Sequence, residues 1–84
     1  MASNVQQSVF AELADFFANQ PTLEQLANYR VSPGVQQYID GMLERNREEE
    51  LSGDERLEFE RILAVIQMMD MAKAKAQLKL AGKA

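Results

Sequence analysis

The sequence predicts an all-α protein, a small bundle of three to four helices with a long C-terminal helix. Apolar residues recur at spacings of three and four, which places them on one face of a helix, and strand-like alternation never persists. Glycine and proline number only 4 and 2 in 84 residues, so few positions interrupt a helix. With 46% hydrophobic residues, residues 1–84 have the composition of a single globular domain, and we expect its last few residues to be frayed.

The first predicted helix ends near Asn19, because Pro21 disfavours helical backbone in the residue before it. A short second helix of one or two turns is expected before Tyr29, since Thr22 and Gln25 have the spacing of a capping box. The apolar stripe of the first helix consists of Val5, Val9, Phe10, Leu13, Phe16 and Phe17.

The third predicted helix begins at Ser32 and Pro33, because a proline in the first turn lacks only an N–H group that would have no partner there. The charged run Asn46–Leu51 has no apolar stripe and is predicted to link this helix to the next. The stripe of the third helix consists of Val35, Tyr38, Ile39, Met42 and Leu43.

The fourth predicted helix is long and runs from about Gly53 to Leu80. Ser52 and Glu55 have the spacing of a capping box at its start, and strong helix formers dominate the segment that follows. A helix of this length spans roughly 40 Å, which is longer than the other helices could cover. Part of it is therefore expected to project or to contact a partner.

The residue types that most enzymes use are missing from this chain. It contains no histidine and no cysteine, so the commonest general base and the thiol nucleophile are both absent. A calcium loop aligned on Gly53 places Phe59 at the position that requires a glutamate ligand. We expect no enzymatic activity, no cofactor, no metal site and no small-molecule substrate.

The charge distribution disfavours nucleic acid as a partner. Residues 1–70 hold all 13 acids and 5 basic residues, whereas the 4 lysines lie in residues 71–84. Affinity for nucleic acid comes largely from basic residues at phosphates. The alternative hypothesis is a small nucleic-acid-binding regulator, in which residues 22–46 form a helix-turn-helix-like pair and Gln36 and Gln37 contact bases. Neither a secretory signal nor an apolar stretch of about 20 residues is present, so we expect a soluble, cytoplasmic protein without a membrane span.

A methionine-rich segment in the long helix is the candidate contact surface. Residues 62–71 are apolar on nearly every side, which an exposed helix does not require. Methionine also fills irregular gaps in cores, so part of this surface is expected to be intramolecular. We expect the rest to bind a protein partner or a second copy of the chain. The candidate residues are Ile62, Val65, Ile66, Met68, Met69 and Met71.

Residues 32–80 resemble a group of short, mostly uncharacterised bacterial proteins that are frequent in cyanobacteria. The matching residues are Ser32, Pro33, Val35, Leu43–Glu48, Leu51, Ser52, Glu55 and Ala72–Ala76. The chain departs from the group at Glu49 and Glu50, where the group tends to have Gly-Thr, and at Gly53, where it has proline. Because some members are regarded as antitoxin-like, the resemblance implies an antitoxin-like role. The missing catalytic residues and the apolar segment of the long helix lead to our main hypothesis, a non-enzymatic interaction module that is either antitoxin-like or a small assembly subunit.

Overall fold

A computed structural model describes the backbone of residues 2–83 and the side chains of residues 9–83. Over this part of the chain the protein is helical and contains no strand, which confirms the all-α prediction and the long C-terminal helix. Val5, the first member of the predicted stripe, has a side chain that lies outside the described residues. The four helices are α1 (Ala2–Ala18), α2 (Leu23–Ala27), α3 (Pro33–Arg47) and α4 (Gly53–Leu80).

The end of α3 lies further along the chain than the charged sequence indicated. Asn46 and Arg47 belong to the helix, because a C-terminal motif satisfies the last carbonyl groups. The Glu49 N–H donates to the Asn46 carbonyl at 3.0 Å, and the Glu50 N–H donates to the Arg45 carbonyl at 2.8 Å. Glu49 adopts a φ of 57° to make this turn, a left-handed conformation that glycine favours.

The buried residues of α4 lie on one side of the helix and contact the other three helices. Near its N-terminus, Phe59 packs with Met42 of α3 and with Leu51. Further along, Ile62 and Met69 join the main core cluster, whose other members are Val9, Leu13, Val35 and Ile39.

The C-terminal part of α4 is covered on one side by α2. Both helices bury an alanine, Ala27 in α2 and Ala76 in α4. The Gln77 side-chain amide donates to the Ala27 carbonyl at 3.3 Å. The Cα atoms extend over 44 × 24 × 19 Å. Because packed helix axes lie about 8–10 Å apart, the thinnest dimension has room for two layers of helices.

The start of α3 is stabilised by a side chain from α1. The Ser32 hydroxyl accepts a hydrogen bond from the Val35 N–H. The second bond of a capping box, from the Ser32 N–H to the side chain of residue 35, cannot form because valine has no acceptor. Glu12 of α1 supplies it, because its Oε2 accepts the Ser32 N–H at 2.8 Å and the Tyr29 hydroxyl at 3.4 Å. A residue 20 positions away in the sequence thus completes the capping of α3. In α2 and α4 the corresponding acceptor is the side chain of the helix's own third residue.

We predict that Glu12→Ala lowers the free energy of unfolding by about 1–2 kcal/mol, because the Ser32 N–H loses its acceptor. Glu12→Gln retains a carbonyl acceptor and should lose less. Urea unfolding followed by circular dichroism measures both effects, with Asp15→Ala on the exposed side of α1 as the matched control. A Glu12→Ala protein with the unfolding midpoint of the control would disprove this capping role.

We predict that Glu49→Gly raises the free energy of unfolding by up to about 1 kcal/mol, because glycine adopts positive φ without the steric cost of a side chain. The neighbouring Glu48→Gly is the control, since Glu48 has an ordinary φ of −92° and should gain nothing. Thermal melting of the two variants tests the difference. Equal melting temperatures for the two variants would show that Glu49 is not strained.

Candidate interaction surface

Helix α4 carries two apolar stripes on opposite sides. Residues separated alternately by three and four positions share a face of a helix. One stripe faces the core and contains Phe59, Ile62, Ile66, Met69 and Ala76, all buried or half-buried. The other, which we call the outer strip, has seven members that are all exposed: Leu57, Arg61, Ala64, Met68, Met71, Lys75 and Leu78.

The outer strip contains four large apolar side chains that are all exposed. Met68 and Met71 are 60% and 62% exposed, and Leu57 and Leu78 are 55% and 46% exposed. Arg61 and Lys75 interrupt the strip, but both have long aliphatic stems that cover apolar surface while the charged group stays in water. The outer strip is therefore a band about three heptads long that is apolar except at two positions, and the described side chains leave it open to solvent.

Four of the six candidate contact residues lie on or near the core side of α4. Ile62 and Met69 are buried, with exposures of 1% and 6%, and they belong to the main core cluster. Val65 and Ile66 are half-buried and pack against the same cluster. These four residues account for the intramolecular part of the predicted surface.

The two remaining candidates, Met68 and Met71, lie at the middle of the outer strip. Sequence reasoning did not include Leu57 and Leu78, which extend the same exposed band toward both ends of the helix. Their spacing from the methionines repeats the alternation of three and four, so the pattern was present in the sequence. The sequence spacing is the same in both stripes, and only the burial of the side chains shows which stripe faces the core.

A second accessible apolar region is a groove of about 650 Å³ between α1, α3, α4 and residues 29–31. Leu43, Leu63 and Ile66 line it together with parts of the core, and the charged residues Arg30 and Lys73 are also among its walls. Its volume falls in the range of small-ligand sites, but such sites enclose most of the ligand, whereas this groove is open to solvent.

The most elaborate polar cluster joins the end of α3 to the start of α4. Glu55 Oε1 accepts from the Ser52 N–H at 3.0 Å and from the Arg45 guanidinium at 2.9 Å, and the Tyr38 hydroxyl donates to Glu58. The Ser52 N–H and Arg45 lower the pKa of Glu55. Burial, followed by the hydrogen bond to Glu58, raises the pKa of Tyr38 to about 12. Tyr38 therefore stays protonated at neutral pH, and these contacts hold the two helices together.

The two glutamines of the helix-turn-helix hypothesis have different surroundings. The Gln36 side-chain amide donates to the Asp40 carboxylate at 2.9 Å, and Gln37 is exposed. A carboxylate one turn away repels phosphate, so this face is electrostatically poor for nucleic acid. It gives no support to the base-contacting role.

No protein-family model, curated protein or solved structure matches this chain. Among the helices that the structure describes, none is both long and apolar enough to cross a membrane. Over the same residues, no group of three or more acidic side chains gathers in a way that could hold a metal ion. The resemblance to short bacterial proteins stays a prediction, and function has to be argued from the surface of the molecule.

We predict that the stabilising effect of Glu55 disappears in acid. Because the folded-state pKa lies below the unfolded value, ionised Glu55 stabilises the protein above about pH 4.5, and this contribution is lost as the pH falls through the lowered pKa. Glu55→Gln should therefore be less stable than wild type at pH 7, with a difference that shrinks toward pH 3. Urea unfolding at a series of pH values measures it, and Glu60→Gln on an exposed part of α4 is the control. A difference that is constant with pH would contradict the assigned pKa shift.

Proposed function

We propose that this chain is a non-enzymatic protein–protein interaction module and that the outer strip of α4 is its contact surface. The observation that carries the proposal is the exposure of Leu57, Met68, Met71 and Leu78 along one continuous face. Large contiguous apolar patches are uncommon on monomeric proteins and usually mark an interaction site. Methionine suits such a surface, because its flexible, polarisable side chain adapts to the shape of a partner.

The chemistry of the surface favours a protein as the partner. The chain has a net charge of −4, which opposes the phosphate backbone of a nucleic acid. The outer strip contains no tryptophan, tyrosine or phenylalanine, the residues that anchor amphipathic helices at a membrane surface. Apolar side chains at alternating spacings of three and four are the pattern with which one helix binds another helix or a groove.

The proposed biological role is that of an antitoxin-like protein or a small assembly subunit. Both roles depend on a binding surface and not on catalytic groups. The resemblance of residues 32–80 to short bacterial proteins, some of them antitoxin-like, supports this part of the proposal. The exposed strip supports the more general role of protein binding.

We predict that Met68→Glu and Met71→Glu each weaken binding at least about tenfold, because each places a charge at the centre of an apolar interface. Leu23→Glu is the matched control, since it introduces the same charge at an exposed leucine of α2, outside the outer strip. The measurement is retention of one defined protein from a lysate of the source organism, with circular dichroism to confirm that helicity is unchanged.

The salt dependence of retention separates protein binding from the nucleic-acid alternative. Binding through the outer strip should persist at high salt, whereas affinity for nucleic acid falls steeply as the salt concentration rises.

A substitution on the core side of α4 should act on stability and not on binding. Met69→Ala should lower the free energy of unfolding by about 2–5 kcal/mol, because Met69 is a core residue. The proposed role of the outer strip would be disproved if Leu23→Glu lowered retention of the partner as much as Met68→Glu does. It would also be disproved if the retained partner were a nucleic acid.

A further inference from the structure

The open face of α4 runs along the whole length of the molecule. The helix has 28 residues and therefore measures about 42 Å, close to the longest dimension of 44 Å. The thinnest dimension of the molecule has room for two layers of helices, which are α4 and the helices that cover its core side. No third layer covers the outer strip among the described residues. The partner that fits this face is thus an elongated helix of similar length, and α4 of another molecule has those dimensions.

We propose, on the basis of the proposed function, that the outer strip pairs with the outer strip of a second copy of the chain in an antiparallel arrangement. A two-fold interface uses one patch twice, so every contact between the two copies occurs twice. With Met68 of one copy opposite Met71 of the other, the four central methionines form the middle of the interface. The same register places Arg61 opposite Leu78 of the second copy.

The charges of α4 are complementary in this orientation. Residues 53–66 carry four acids and two arginines, whereas residues 67–80 carry one acid and three lysines. Antiparallel pairing brings the net negative half of each helix alongside the net positive half of the other. It also opposes the two helix dipoles, so that each positive end lies near a negative end.

A parallel pairing of the same strips is electrostatically unfavourable. In parallel register, each position of the strip faces its own equivalent, so Arg61 would face Arg61 and Lys75 would face Lys75 of the second copy. The acidic halves would also lie side by side. In the antiparallel register both cations face apolar residues, and their charged groups extend past these into water.

The size of the strip predicts a weak dimer. In this register residues 59–80 of the two helices overlap over about 33 Å, and at a width of about 10 Å they present roughly 330 Å² of footprint per copy, which is below the size of stable specific interfaces. We therefore expect dissociation constants of about 10 μM to about 1 mM. Sedimentation equilibrium over this concentration range should show a mass that rises from the monomer value of 9.5 kDa toward twice that value.

Single cysteines test the orientation directly, because the chain has no cysteine of its own. Arg61→Cys mixed with Leu78→Cys should form a mixed disulfide, since these positions face each other. Arg61→Cys alone should not, because the two copies of residue 61 lie about 25 Å apart in the antiparallel register, far beyond the roughly 7 Å that a disulfide spans. Leu23→Cys measures the background of random collisions.

Combining sedimentation with cross-linking separates failure of this inference from failure of the proposed function. A concentration-dependent dimer that Met68→Glu abolishes and Leu23→Glu does not, together with the mixed disulfide, supports the antiparallel dimer. A rapid disulfide of Arg61→Cys with itself overturns the antiparallel orientation. A monomer at all concentrations that still captures another protein through Met68 overturns the dimer and leaves the proposed function standing. A monomer whose binding ignores Met68 overturns both.

Discussion

The one-sided burial of α4 is the constraint on which the rest of this structure depends. Phe59, Ile62, Met69 and Ala76 form one line along the helix, and each part of that line is covered by a different neighbour. Because a small chain buries little apolar surface in total, its short helices are stable only when they pack against such a scaffold. The same arrangement leaves the opposite side of α4 without an intramolecular neighbour among the described residues.

Polar contacts at the helix ends fix how the short segments meet the scaffold. Glu55 both caps α4 and binds Arg45, so one carboxylate joins the start of α4 to α3. Glu12 has the corresponding role between α1 and the start of α3. These contacts are directional, whereas apolar burial is not, so they select one arrangement of helices among the several that could cover the core stripe.

The candidate surface follows from an excess of apolar residues on α4. A helix packed on one side needs a single apolar stripe, yet α4 has a second one with large side chains at Leu57, Met68, Met71 and Leu78. Exposed side chains of this size add no packing within the molecule and raise the risk of non-specific association. The charge asymmetry between the two halves of the helix would restrict which helices can pair with it.

The sequence by itself determined the helices, because spacing and capping act locally. Apolar residues at intervals of three and four, the Ser32–Pro33 start and the Ser52–Glu55 capping box sufficed to locate α3 and α4. Only the tertiary structure decided which stripe of α4 is core and which is surface, since both satisfy the same periodicity. Met68 and Met69 are neighbours of identical chemistry, yet one is exposed and the other buried. Only the tertiary structure also shows that Glu12 accepts the Ser32 N–H, because a contact across 20 residues depends on how the helices pack.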